Sequence, residues 1–92
     1  MTKAERRLLR LRNARNSSAY ADLKAALESE GFTEEMGRGS HRVFVHSRWR
    51  QVRVTLVQGR GTIPPEYVAD TVEAIDAVRA LKRAERVGDE ER

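Results

Sequence analysis

The chain has no cysteine, two prolines and one tryptophan, and aromatic residues make up only 5 % of it. Without cysteine there is no disulfide and no thiolate metal site, and a reducing cytoplasm is a permitted setting. No apolar run approaches the ~20 residues that span a bilayer. The first residues are charged throughout and lack an apolar core segment, so no signal peptide is read. A cytoplasmic protein without a membrane partner is the expectation. Phosphate loops, G-x-G-x-x-G, H-E-x-x-H and clusters of metal ligands are all missing. No cofactor and no metal are expected.

Hydrophobic residues make up 39 % of the 92 positions and charged residues 35 %. A chain this short buries only ~60–65 % of its unfolded surface. One domain with a thin core follows, a sheet covered on one face by one or two helices.

The net charge of +4 conceals segregation. Residues 1–16 carry +5, 17–35 carry −4, 36–65 carry +6 and 66–78 carry −4. The stretch 36–65 holds Arg38, Arg42, Arg48, Arg50, Arg53 and Arg60 and no acid. Nucleic acid suits so basic a segment. A solvated basic face offsetting two acidic helices fits the charge equally well.

Residues 3–15 are rich in Arg, Leu and Ala, with Ala4, Leu8 and Leu11 on one stripe. A basic helix over residues 1–16 is predicted, packed on the domain or on a partner. A second helix is expected from Ala19 to Glu30, with Ser17 or Ser18 as cap and a stripe of Tyr20, Leu23 and Leu27. Gly31 suits the position after its end, and Phe32 returns to the core. Strands are predicted near 33–38, at 41–46 and at 51–57, with a turn at Gly39-Ser40 and a hairpin tip at 47–50. Val52, Val54 and Leu56 face one way; Arg53, Thr55 and Val57 face the other. A last helix starts near Pro65, with Val68, Val72, Ile75, Val78 and Leu81 on its apolar edge. The main domain is placed at 17–84 and a disordered tail at 85–92. This order predicts an α+β fold, a three-stranded antiparallel sheet with helices on one face.

His41 opens the middle strand directly after Gly39-Ser40, where solvent reaches it. An imidazole exchanges protons near neutral pH, which makes His41 the candidate acid–base group. His46 lies five positions on, and alternation sends it to the opposite face. It is read as a hairpin-rim residue. Trp49, between Arg48 and Arg50, either stacks on unpaired bases while the arginines hold phosphate, or folds back over the sheet edge. Acids are absent where a metal-dependent nuclease needs them, so any nuclease chemistry is expected to use the ribose 2′-hydroxyl without a metal.

The run Asp22-Leu23-Lys24-Ala25-Ala26-Leu27, then Gly31-Phe32, then Gly39-Ser40-His41-Arg42-Val43-Phe44-Val45-His46 resembles the HicA toxins of bacterial toxin–antitoxin pairs. Tyr67-Val68 and the helix after them are similar to that family's last segment, and the likeness covers roughly residues 12–80. It implies a double-stranded-RNA-binding-like α-β-β-β-α fold, here with an extra N-terminal helix. It also implies mRNA cleavage and neutralisation by a HicB-type antitoxin. The family's catalytic histidine falls on His41. RNA contacts are then expected from Arg38, Ser40, Arg42, Arg48, Trp49, Arg50, Arg53 and Arg60. Many members carry a proline and a further histidine at the end of the third strand; here the sequence is Leu56-Val57-Gln58-Gly59-Arg60. A non-catalytic RNA-binding module and a protein-docking domain with a basic face are the alternatives.

Overall fold

The computed structural model describes residues 2–14, 16–57 and 61–90, apart from the side chains at 36, 89 and 90. Helix α1 (Lys3–Arg12) is capped by Thr2, whose hydroxyl accepts from the Glu5 N–H at 3.1 Å. Strand β1 (Ser18–Ala19) leads into helix α2 (Tyr20–Ser29). Strands β2 (Phe32–Met36), β3 (His41–His46) and β4 (Arg53–Val57) follow. A short β5 (Thr62–Ile63) precedes the long helix α3 (Pro65–Glu90). Among the described residues the fold is α+β: three helices, a three-stranded antiparallel sheet in the order β2-β3-β4, and a two-stranded ladder of β1 and β5.

The alternation of β3 divides the sheet into two faces. Phe44 and His46 point towards the helices, with Phe32, Val54 and Leu56 from the flanking strands. His41, Val43 and Val45 point away, in register with Val57, Thr55 and Arg53 of β4. The inward residues join Leu23 and Leu27 of α2 and Val68, Ile75 and Val78 of α3 in one apolar cluster. Each of these large side chains contributes roughly 1.5–3 kcal/mol by leaving water.

Of the two packings expected for the N-terminal helix, the one on the domain is found: Leu8 and Leu11 are buried in the same cluster, and Arg12 grips Asp76 of α3 through two hydrogen bonds of 2.9 and 2.8 Å. Two sequence expectations change. Serine does not cap α2. Ser18 and Ala19 instead pair with Ile63 and Thr62, and the Tyr20 N–H donates to the Gly61 carbonyl at 3.1 Å. A long-range backbone ladder thus replaces the local cap. The last helix does not stop before the tail but runs to Glu90. Good helix formers continue through residues 80–86, and ion pairs from Arg79 and Lys82 to Glu30, and from Glu85 to Arg48, hold this stretch to the body.

Candidate nucleic-acid interface and the two histidines

His46 sits on the inward face and is 3 % exposed. Its Nε2 lies 2.8 Å from the Glu30 carbonyl, and its Nδ1 accepts from the backbone N–H groups of Arg48 and Trp49 at 3.1 and 3.2 Å. A carbonyl only accepts and an N–H only donates, so the Nε2–H tautomer alone satisfies all three contacts. The ring therefore ties the end of α2 to the β3–β4 turn. Between centroids it lies 5.1 Å from the Phe32 ring, perpendicular to it, and 5.0 Å from the Trp49 ring, tilted by 35°. Gly31 makes room for it: a Cβ there would stand 2.8 Å from Nε2. His46 does lie at the hairpin rim, as the sequence suggests, but as a buried strut.

His41 is exposed on the outward face, at the mouth of the β2–β3 turn. Its backbone N–H donates to the Arg38 carbonyl at 3.0 Å, and its Nδ1 lies 3.2 Å from the same oxygen. A carbonyl partner again fixes the roles: Nδ1 carries the proton, and Nε2 of the neutral ring keeps its lone pair for something else. The turn is tight because residue 37 has no side chain. A Cβ on Gly37 would fall 2.3 Å from the His41 carbonyl oxygen.

The other expected contact residues divide into three groups. Arg38 and Ser40 share the turn with His41 and are exposed, and Arg38 makes no ion pair among the described residues. Arg50 and Arg53 lie at the far end of the outward face, roughly 13 Å along the strands from His41. Arg53 donates to the Arg50 carbonyl at 3.3 Å, and Arg50 pairs with Glu35 at 2.8 Å. Arg42, Arg48 and Trp49 point elsewhere. Arg42 donates to the carbonyls of Gly39 and His41 at 2.9 and 3.1 Å, bracing the turn from inside. Arg48 pairs with Glu85 at 2.6 Å and lies 5.0 Å over the Trp49 ring. Trp49 itself packs against the core, so the fold-back alternative describes it. Arg60 lies outside the described residues.

The stretch that carries no acid in sequence thus meets acids in space. Glu34 and Glu35 come from β2, and Glu85 from α3. Beside the turn, a cleft of about 270 Å³ is lined by Glu34, Glu35, Gly37 and Arg42. The Tyr20 hydroxyl donates to Glu34 there. Burial, and then this bond, push the Tyr20 hydroxyl up to about 12. The same bond, with help from Lys24 and Arg42, holds the Glu34 carboxyl below its ordinary range. Among the described residues, no group of three His, Cys, Asp or Glu side chains is placed to hold a metal ion, and no helix is long and apolar enough to cross a membrane.

The register that brings these carboxylates in leaves no local signal in the sequence. Compared with protein-family models, curated proteins and solved structures, the chain matches none of them.

The two histidines should separate in a stability assay. His46→Ala strands a carbonyl and two N–H groups, each costing about 1–3 kcal/mol when buried and unmet, with water recovering part of this. A net loss of about 2–4 kcal/mol is expected in urea unfolding followed by Trp49 fluorescence. His41→Ala should stay within about 0.5 kcal/mol of the parent. Equal losses for the two would contradict the assignment of faces.

Proposed function

We propose that this protein is an RNA-cutting toxin of the HicA type, a metal-independent endoribonuclease on a double-stranded-RNA-binding-like fold. The observation that carries the reading is the set of bonds to the Arg38 carbonyl. It ties down Nδ1 of an exposed histidine and leaves the unprotonated Nε2 as the proton acceptor. In this reading Nε2 takes the proton of a ribose 2′-hydroxyl. The freed oxygen attacks the adjacent phosphorus, forming a 2′,3′-cyclic phosphate. The 5′-oxygen leaves and takes a proton from water, and His41 returns its own to solvent. Arg38 is exposed on the same turn, and in this reading its charge offsets that on the phosphate oxygens. Arg53 and Arg50 hold the strand further along. The Arg50–Glu35 pair is exposed and worth roughly 0–1 kcal/mol, so a phosphate displaces Glu35 at small cost. The resemblance in the order of the Leu-bearing helix, Gly31-Phe32 and Gly39-Ser40-His41 supports the same assignment. It also suggests a HicB-type antitoxin that silences the protein by covering His41.

His41→Ala should remain folded, bind a structured transcript, and cut it about 10²–10⁴ times more slowly than the parent. The comparison is made in EDTA, alongside a growth assay in which the variant no longer arrests cells. Undiminished cutting by the variant, or loss of parental cutting in EDTA, would refute the mechanism.

Salt dependence tests the division of the arginines. Each phosphate contact on single-stranded RNA contributes roughly 0.7 to the log–log slope. Replacing Arg38 and Arg53 together by alanine should flatten the slope by about 1.4. Arg42→Ala should leave it unchanged, since that side chain is spent on the turn. The reverse pattern would move the interface to the other face of the sheet.

A further inference from the structure

Strand β4 is an edge of the three-stranded sheet, and the hydrogen-bond parity shows which of its groups make no bond to β3. The His46 N–H donates to the Val52 carbonyl at 3.0 Å, so Val52, Val54 and Leu56 turn their backbone groups towards β3. On the other side of β3 the Ser47 N–H donates to the Gly31 carbonyl at 3.0 Å, which gives the same parity. Arg53, Thr55 and Val57 therefore direct their N–H and C=O groups away from the sheet. Those of Arg53 and Thr55 open onto a groove of about 530 Å³ between β4 and helix α3. Its far wall carries Tyr67, Asp70, Glu73 and Ala77. Asp70 and Glu73 make no ion pair among the described residues, in contrast to Asp76 one turn on, which Arg12 neutralises. Edge β2 differs, for its Glu34 is already bonded to Tyr20 and paired with Lys24.

We infer that this groove binds an extended segment of another protein as a fourth strand, antiparallel to β4, with lysine or arginine at alternate positions. The outward backbone groups of β4 supply affinity and register, and the acidic wall of α3 supplies sequence preference. Side chains of the added strand alternate, so one set lies over Asp70 and Glu73. The other set lies over Arg53 and Thr55, where neutral or acidic residues fit. A second copy of this chain is disfavoured as occupant: pairing two β4 edges sets one acidic wall against the other. The inference is independent of any chemistry at His41.

The test uses the whole chain and an acetylated, amidated heptapeptide of alternating threonine and lysine. The peptide should slow amide exchange at Thr55 and Val57 at least tenfold at saturation, read by NMR. The same peptide with glutamate for lysine should not bind. Asp70→Lys with Glu73→Lys should weaken binding at least tenfold. Thr55→Pro removes an outward N–H and no bond to β3, so the sheet is kept while binding is lost. Should that variant misfold, the parent is tested with a peptide N-methylated on the amides facing β4, which should fail to bind. Three outcomes overturn the inference: binding without protection at Thr55 and Val57, equal binding of the glutamate peptide, or protection of these amides by self-association without peptide.

Discussion

The bonds that His46 makes to the Glu30 carbonyl and to the two N–H groups of the β3–β4 turn are the contacts on which the arrangement rests. They lock one end of the central strand to the helix layer. With His46 inward, the period of two in a strand puts His41 outward. The two histidines of the chain are thereby given opposite work by geometry. One is buried with every polar atom engaged; the other is exposed with one nitrogen held and one free. A bulge between them would place both on one face, and the unbroken register from His41–Val57 to Val45–Arg53 excludes it.

The electrostatics follow from the same register. Antiparallel pairing sets Glu35 opposite Val43, near the arginines of the β3–β4 hairpin. The long α3 helix brings Glu85 to Arg48. Two of the arginines that look interchangeable in sequence, Arg42 and Arg48, are engaged on the helix side of the sheet. Arg38 and Arg53 remain on or beside the outward face. A basic segment in sequence becomes a patterned surface, positive at both ends of the outward face and acidic in the groove beside β4.

Much of this was legible in the residues. The 41–46 strand matches its predicted bounds, the start of α3 matches Pro65, and Gly31 adopts φ +96 as the position after a helix end. These depend on local rules: β-branched alternation, proline in a first turn, glycine at positive φ. What was not legible depends on partners distant in sequence. The pairing of Ser18–Ala19 with Thr62–Ile63 uses two-residue strands that carry no pattern. The order of α3 to Glu90 rests partly on Glu30 and Arg48, each far away along the chain. For the candidate site, alternation alone separated His41 from His46, but it could not say that His46 is buried or that Trp49 folds onto it. Those facts need Gly31, Phe32 and the α2 end assembled around the ring.

The proposed chemistry depends on the proton positions of the two rings. An exposed, unconstrained imidazole prefers the Nε2–H tautomer. Long-range ¹H–¹⁵N correlation spectra, recorded at a pH where both rings are neutral, report each tautomer directly. The expected result is Nε2–H for His46 and, against the intrinsic preference, Nδ1–H for His41 with an unprotonated Nε2. An Nε2–H tautomer at His41 would show that the Arg38 carbonyl does not hold the ring, and would remove the base on which the proposed chemistry depends.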